Sequence, residues 1–357
     1  MHILYAIQGT GNGHLSRARD LVPRLQAYGK VDLLVSGTQS DIELDYPIRY
    51  RYRGLSFVYD RRGGISYLKS GWHTVSTHLI QEVRSLPVKQ YDLVLNDFEP
   101  VSAWAAKFSG VPCISIGHQA SFRSARSPRP NRKDLFGEAV LRYYAPARKA
   151  VGFHFQPYDS FIFPPVIRSD VRERVPADRG FFTVYLPAFN EHSLLHLLQQ
   201  IPEVDWQVFS RYARKQYTLR NIRIHPIDAE AFTESLIHCT GVLTSAGFET
   251  PAEALYLGKK LMTIPIKGQY EQACNAAALQ LMGVHVVHQI ETDFIDHLRQ
   301  WVWSHMPGRM LFPDMTEQAL ETAFALHAGR KISPINLRLE TPVKKPEIPS
   351  CNSPSVF

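Results

Sequence analysis

Short apolar runs alternate with helical stretches along most of this chain, and this alternation constrains its fold more than any other feature. In the first half, strands are predicted at 2–7, 31–36, 92–96 and 112–116. One helix is predicted from about Ser16, a good N-cap, to near Gly29, and another over 100–110, with proline at its first turn and glycine at its end. Buried strands interleaved with helices indicate a parallel, doubly wound α/β sheet.

A second alternation begins near Phe181. Its predicted strands are 181–187, 206–210, 222–227, 241–245 and 260–266, and its predicted helices are 192–201, 229–239, 251–258 and 271–283. A chain of 357 residues fits two domains of about 150 residues each. We therefore predict two Rossmann-like lobes, 1–163 and 181–330, joined by a linker at 164–180. A ligand cleft is expected between them, at the carboxyl ends of the strands.

Two segments lack apolar periodicity. Residues 118–135 are predicted to form a long loop, and loops of that length are usually functional. The tail 331–357 is rich in proline and polar residues and is predicted to be disordered.

Composition narrows the class of protein. A hydrophobic content of 45% with 20% charged residues is typical of a globular protein in water. No window approaches the roughly 18 apolar residues of a spanning helix, and no signal peptide is recognisable, so a cytoplasmic location is expected. The cysteines are scattered without metal-ligand spacing and are predicted to be reduced thiols, with no disulfide framework and no zinc site; they are Cys113, Cys239, Cys274 and Cys351.

The net charge of +7 favours anionic partners. Basic residues cluster in 49–64 and 123–133. Nucleic acid, a membrane surface or a phosphorylated substrate would suit such clusters. A pair of solvated loops is the alternative interpretation.

The segment "GTGNGHLS" (9–16) follows the first strand. Its glycines Gly9, Gly11 and Gly13 do not have the GxGxxG spacing of a dinucleotide site, and the second strand ends at Ser36 without a carboxylate for a ribose. No GK[ST] follows, which excludes a phosphate loop. The loop is predicted to present His14 at a helix N-terminus, which would keep the imidazole neutral and able to act as a general base. The alternative is a turn with an incidental histidine.

The stretch 244–283 is more specific. Its strand delivers Ser245 and Gly247 to a helix N-terminus, where free backbone N–H groups form an anion site and Thr250 can add a hydroxyl. One turn later, Glu253 can accept hydrogen bonds from a ribose diol. The next helix begins with a carboxylate and an amide that suit sugar hydroxyls, followed by a second amide one turn on; these are Glu271, Gln272 and Asn275.

Two further strand ends carry polar side chains. Asp97 and Glu99 follow the strand 92–96, and His118 follows the strand 112–116. Asp97 could orient His14 or act as the base itself, with helix capping as the alternative. Glu99 could face the acceptor or cap the helix. His118 is predicted to line the acceptor site, with a simple turn residue as the alternative.

These motifs resemble those of the GT-B glycosyltransferases, in particular the family 28 and family 1 type that includes the lipid-linked N-acetylglucosaminyl transferase of peptidoglycan synthesis. The resemblance implies that Glu253 binds the donor ribose and that the turn from Gly247 through Phe248 to Thr250 binds its diphosphate. It also implies that Ile227, in "HPID", reads the base with its backbone. The sugar-binding residues would be Glu271, Gln272 and Asn275, and the glycine loop, with Gly11, Gly13 and His14, would lie on the acceptor side.

Two positions depart from the family pattern. Ser245 stands where plant-type members carry a phosphate-binding histidine, and Glu249 where they carry asparagine. A carboxylate beside a diphosphate is repulsive unless it points away or binds something else.

The resemblance implies transfer of a sugar from a nucleotide diphosphosugar, expected to be a UDP-sugar, to an acceptor hydroxyl, with inversion. No cofactor and no divalent metal are expected, and the DxD pattern of metal-dependent transferases is absent from the sequence. The basic stretches 49–72 and 121–135 suggest a lipid-linked or envelope acceptor and peripheral contact with an anionic membrane, and no nucleic acid is expected. A nucleotide-sugar epimerase and a non-catalytic binding protein for anionic polymers remain as alternatives.

Overall fold

The computed structural model describes residues 1–37, 44–54 and 72–330. Most of the predicted basic stretch 49–72 and all of the predicted tail 331–357 lie outside these residues. No helix in the described ranges is long and apolar enough to cross a bilayer.

Within the described residues, the first half of the chain forms one seven-stranded parallel sheet. Its strands are β1 (His2–Gln8), β2 (Lys30–Ser36), β3 (Ile48–Tyr52), β4 (Leu93–Asp97), β5 (Cys113–Gly117), β6 (Lys149–Phe153) and β7 (Ile162–Phe163). Their order in space is β3-β2-β1-β4-β5-β6-β7. The chain therefore starts in the middle of the sheet and winds outward in both directions, as predicted.

The second half repeats this plan. Its strands are β8 (Phe181–Tyr185), β9 (Asp205–Ser210), β10 (Tyr217–Leu219), β11 (Ile222–Pro226), β12 (Gly241–Ser245), β13 (Lys260–Ile264) and β14 (His285–Val286). They are ordered β10-β11-β9-β8-β12-β13-β14, and β10 alone among these described strands pairs in antiparallel fashion. The two α/β lobes of the prediction are confirmed.

Helices connect the strands of both sheets. They are α1 (Asn12–Leu25), α2 (Trp72–Ser85), α3 (Pro100–Ser109), α4 (Leu135–Tyr143), α5 (Ser169–Arg172), α6 (Glu191–Leu198), α7 (Ala229–His238), α8 (Glu249–Leu257), α9 (Tyr270–Leu281), α10 (Phe294–Val302) and α11 (Thr316–His327).

The first strand shows why its apolar run has no polar gaps. Ile3 and Tyr5 face the side covered by α1 and α11, whereas Leu4 and Ala6 face the side covered by α2 and α3. Because successive side chains of a strand point to opposite faces, a strand covered on both faces must be apolar throughout. This pattern made the central strands readable from the sequence.

The helix α11 packs on the first sheet, against β5 and β6, although its residues fall within the range predicted for the second domain. Phe324 stacks on Tyr28 with ring centroids 4.1 Å apart, and Arg24 forms an ion pair with Asp314 at 2.7 Å. The chain therefore returns to its first lobe after completing the second.

Three local predictions need correction. The helix α1 begins at Asn12, not near Ser16, because the end of the glycine loop forms its first turn; Ser16 is buried inside it. The loop 118–135 contains a 3₁₀ helix at 119–123, closed by the bond from Ser121 N to His118 O at 3.0 Å. The basic stretch from residue 49 begins within β3, whose alternating Tyr and Arg side chains suit a half-exposed edge strand.

Candidate functional site

Each of the three glycines of the first loop occupies a position that disfavours a side chain, for a different local reason. A Cβ at Gly9 would lie 2.9 Å from Val35 Cγ1, and Gly11 has φ of +98°, which side chains rarely adopt. A Cβ at Gly13 would lie 2.6 Å from Glu249 Oε2. The loop thus approaches a carboxylate of the second lobe.

A buried cluster forms around the Asp97 carboxylate. His14 Nδ1 lies 2.8 Å from Asp97 Oδ1, and the Arg17 guanidinium donates from Nη2 to both carboxylate oxygens at 2.8 Å. A carboxylate can only accept, so the Nδ1 of His14 carries the proton and its Nε2 is left as the basic atom. The structure therefore brings together His14 and Asp97, the two residues predicted to be catalytic.

The charges in this cluster set its protonation. Burial alone would raise the pKa of Asp97, but the positive charge of Arg17, and next that of His14, lowers it. Burial alone would lower the pKa of His14, yet the charge and hydrogen bond of Asp97 raise it. The sequence predicted that the helix N-terminus would keep this imidazole neutral; the carboxylate opposes that effect and favours the imidazolium.

A strained turn at the end of β4 points two acidic side chains, Asp97 and Glu99, in different directions. Phe98 has φ of +57°, a left-handed conformation that is costly for a bulky residue. As a result Asp97 faces the cluster, while the Glu99 carboxylate accepts from Val101 N at 2.7 Å and Ser102 N at 2.6 Å. Glu99 is fully buried and caps α3, the alternative that the sequence left open, and it is not part of the cluster.

His118 crosses from the first lobe to the second. Its ring stacks on Phe248 at 3.9 Å, and its Nε2 lies 2.7 Å from Asn275 Oδ1. Asn275 in turn donates from Nδ2 to Ala246 O at 3.1 Å. Burial lowers the pKa of His118 to about 3, so the ring is neutral and only one of its two nitrogens, which both face acceptor oxygens, can donate. His118, Phe248 and Asn275 are buried and join the lobes.

Gln119 bridges the cluster to the second lobe. Its Nε2 donates to Glu271 Oε2 at 3.0 Å and lies 3.4 Å from His14 Nε2. Burial raises the pKa of Glu271, and the bond from Gln119 opposes that rise. The predicted base and a predicted sugar-binding carboxylate are therefore separated by one amide group.

Glu253 binds a guanidinium in this structure. Arg168 Nε donates to Glu253 Oε1 at 2.6 Å, and Arg168 Nη2 donates to Oε2 at 3.1 Å. Glu253 is buried, which raises its pKa, although Arg168 opposes the rise. Each carboxylate oxygen keeps further lone pairs, so the predicted ribose contact is compatible with this pair.

The predicted anion site lies at the start of α8. Ser245 ends β12, and the N-cap position is held by Phe248, which provides no side-chain hydrogen bond. A Cβ at Gly247 would meet nothing within 4 Å, and Thr250 lies in the first turn, partly exposed.

The remaining predicted donor residues follow β11 and β13, and these two strands have β9, β8 and β12 between them. Ile227 follows β11 and is partly exposed. Gln272 is buried in α9, where its Oε1 accepts from Ile266 N at 2.9 Å. This bond fixes the turn after β13 and leaves the amide nitrogen to other partners.

Four residues of the site were not predicted from the sequence. They are Arg17, Gly117, Gln119 and Arg168. A Cβ at Gly117, whose φ is +154°, would overlap Asp97 Oδ1, so this glycine makes room for the carboxylate. An available signal was the spacing of His14 and Arg17, which puts both on one face of a helix.

Among the described residues, no group of three or more His, Cys, Asp or Glu side chains could hold a metal ion.

A family model described as glycosyl transferase family 1 matches residues 1–302. The chain belongs to this family. It is a glycosyltransferase, and the match covers both lobes and the cluster between them. No protein of curated function matches it significantly.

Solved glycosyltransferases share the fold of this family member at low sequence identity. A UDP-glucosyltransferase from Polygonum tinctorium, in complex with 3,4-dichloroaniline, aligns with a TM-score of 0.56 at 13% identity, over 92% of this chain and 99% of that one. The spinosyn forosaminyltransferase SpnP aligns with 0.53 at 14%, over 91% and 93%. UGT2 from Phytolacca americana, complexed with UDP-2-fluoro-glucose and pterostilbene, aligns with 0.52 at 15%, over 92% and 93%. The chain therefore has the predicted GT-B fold.

Proposed function

We propose that this glycosyltransferase moves a sugar from a nucleotide diphosphosugar, a UDP-sugar in the first instance, to an acceptor hydroxyl with inversion. The observation that carries the proposal is the His14–Asp97 hydrogen bond of 2.8 Å, at the junction of the lobes. It gives the imidazole the tautomer that a general base needs.

His14 is the base in this scheme, and Asp97 orients it. Asp97 is fully buried and its oxygens are occupied by His14 and Arg17, whereas the His14 side chain is 12% exposed. The acceptor hydroxyl gives its proton to His14 Nε2, and its oxygen bonds to the anomeric carbon from the face opposite the leaving group. The bond from that carbon to the diphosphate oxygen breaks, and the nucleoside diphosphate leaves with the electron pair.

The start of α8 stabilises the leaving group without a divalent metal. Its first backbone N–H groups have no side-chain cap, and the helix dipole favours negative charge there. Thr250 contributes a hydroxyl, and the Glu253 carboxylate accepts hydrogen bonds from the ribose hydroxyls. The sugar lies against Glu271, close to the base.

The donor is tested by thermal stabilisation with UDP-, GDP-, dTDP- and CMP-sugars, with Glu253→Ala alongside. A ligand at about 100 times its dissociation constant adds roughly 2.7 kcal/mol of stability. We expect a rise in Tm with UDP-sugars that is reduced in the variant. If Tm rises only with another nucleotide class, that class is the donor in place of the UDP-sugar. If Tm rises with none of them, the proposed reaction is contradicted.

The acceptor we propose is lipid-linked or part of the cell envelope, reached from an anionic membrane surface beside α4. Leu135 and Tyr143 on this helix are 83% and 58% exposed. Exposed basic residues flank them; they are Arg132, Lys133 and Arg142. Exposed apolar side chains with cations close to them in the sequence suit an anionic bilayer surface.

Co-sedimentation with vesicles tests this surface. Wild-type protein should pellet with vesicles containing anionic lipid more than with neutral ones, and R132E/K133E should abolish the difference. Leu281→Ser, which removes a 77% exposed leucine from α9, is the matched control and should bind like wild type. If R132E/K133E binds the vesicles as wild type does, the proposed membrane contact is wrong.

A further inference from the structure

The most unusual charge in the site is Arg17, which lies between the two lobes. Its side chain is 2% exposed. One edge of the guanidinium is fixed on Asp97, with Nε 3.2 Å and Nη2 2.8 Å from Oδ2. The remaining nitrogen, Nη1, donates to Glu249 of the second lobe.

Glu249 places this guanidinium beside the anion site. It is the first residue of α8, so its carboxylate lies within one side-chain length of the uncapped N–H groups. Rather than capping them, the carboxylate turns to Arg17 and packs against the backbone of Gly13. Arg17 Nη1 therefore points toward the helix start where the diphosphate is expected.

We propose that Arg17 is a diphosphate ligand supplied by the first lobe, and that a phosphate oxygen of the donor replaces the Glu249 carboxylate on Arg17 Nη1. This inference rests on the proposed function. It also gives the carboxylate at position 249 a role, since that residue occupies Arg17 Nη1 until the diphosphate replaces it.

Exposure and charge favour the exchange in this direction. Glu249 is 22% exposed and can swing toward solvent, whereas Arg17 is buried and held by Asp97. A diphosphate bound while Glu249 stayed in place would be repelled by it, and also by Glu271. Guanidinium groups bind phosphate through charge-assisted hydrogen bonds, which are strong in a buried site.

The exchange would also connect donor binding to the base. Arg17 and His14 share the Asp97 carboxylate, so an anion bound to Arg17 Nη1 is connected to the imidazole through three hydrogen bonds, its own bond to Arg17 included. The helix α1 carries both residues. It therefore places the arginine that would bind the leaving diphosphate next to the base.

The test measures the affinities for inorganic pyrophosphate, UDP and uridine in wild type, Glu249→Gln and Arg17→Lys. Glu249→Gln should bind pyrophosphate and UDP several-fold more tightly, because the competing charge is gone. Arg17→Lys should bind both about tenfold more weakly, the loss expected for charge-assisted hydrogen bonds. Uridine should bind all three proteins equally, since it has no phosphate.

Arg24→Gln is the matched control, because it removes another α1 arginine from its ion pair with Asp314, and its UDP affinity should equal that of wild type. Melting temperatures and circular dichroism show whether Arg17→Lys remains folded; Glu249→Gln, at a partly exposed position, decides the question independently. If wild type binds UDP and neither variant changes that affinity, the inference is wrong and the proposed function stands. If wild type binds neither pyrophosphate nor any nucleoside diphosphate, both are wrong.

Discussion

Two strand–helix junctions occupy equivalent places in the two sheets, and their helices begin in opposite ways. The strands β4 and β12 each lie beside the first strand of their own sheet. The helices that follow, α3 and α8, each carry a proline in the first turn and end at a left-handed glycine, Gly110 and Gly258. Each also has a glutamate at its start, Glu99 and Glu249.

The difference lies in what these two glutamates bind. Glu99 turns back and caps α3, so the first N–H groups of that helix are occupied by its own chain. Glu249 turns away to Arg17 and leaves α8 without a side-chain cap. A helix N-terminus capped by a nearby carboxylate stabilises the fold, whereas an uncapped N-terminus can bind an anion.

The largest effect we expect is on catalysis at the first junction. Asp97→Asn should lower kcat/KM by about 10³-fold or more, because an amide no longer fixes the His14 tautomer or stabilises the imidazolium. Steady-state kinetics with the donor found above measure this loss. Asp314→Asn, which breaks the Arg24 ion pair outside the cluster, should leave kcat/KM unchanged. A loss of less than tenfold for Asp97→Asn would mean that the His14–Asp97 pair does not take part in the reaction.

The second prediction compares the two helix starts directly. Glu99→Gln should lower the free energy of unfolding by about 1–2 kcal/mol, because a buried carboxylate cap is lost. Glu249→Gln should change it by less than about 0.5 kcal/mol, because Glu249 is partly exposed, the glutamine oxygen can still accept from Arg17, and Arg17 keeps Asp97. Urea denaturation of both variants measures the contrast. Equal losses would mean that Glu249 is as structural as Glu99.

The parts of the fold that the sequence predicted share a physical reason. Central strands such as β1 and β4 are covered on both faces, so their apolar runs are continuous and recognisable. The edge strand β3 alternates Arg and Tyr and was missed because one of its faces is exposed. The packing of α11 on the first sheet depends on contacts such as Tyr28–Phe324, which span nearly the whole chain and have no local signature.

The site divides in the same way. His14 and Asp97 could be proposed because both follow strands of one parallel sheet, whose carboxyl ends meet at one edge. Arg17 could not, because a charged residue within a helix is usually exposed, and its partners are 80 and 232 residues away. His118 and Asn275 were predicted as site residues without the hydrogen bond that joins them across the lobes.

The third prediction concerns the helix ends that the junctions share. Gly110→Ala should lower the free energy of unfolding by about 1 kcal/mol, the cost of a left-handed conformation for a residue with a Cβ, and Gly258→Ala should lower it by more. The added Cβ at Gly110 meets nothing within 4 Å, whereas at Gly258 it would lie 2.6 Å from Arg309 Cγ and 3.6 Å from Arg309 Cα, so Arg309 must shift. Urea denaturation of both variants measures the difference. Equal losses would show that Arg309 moves aside at no cost.

The smallest effect we expect is in the pH dependence, and it reports on Asp97. The pKa of His14 is raised, so kcat/KM should rise with pH through a value above the ordinary histidine pKa of about 6.5. Glu99→Gln should keep this rise of the pH profile at the same pH, because Glu99 lies outside the cluster, whereas Asp97→Asn should move it to lower pH.

The raised pKa also means that protonated His14 stabilises the fold. Its contribution is complete below about pH 6.5 and is lost as the pH rises through the folded-state pKa. The stability difference between wild type and His14→Gln should therefore be larger at the lower pH, and a difference that does not change with pH would mean that the bond to Asp97 does not shift this group.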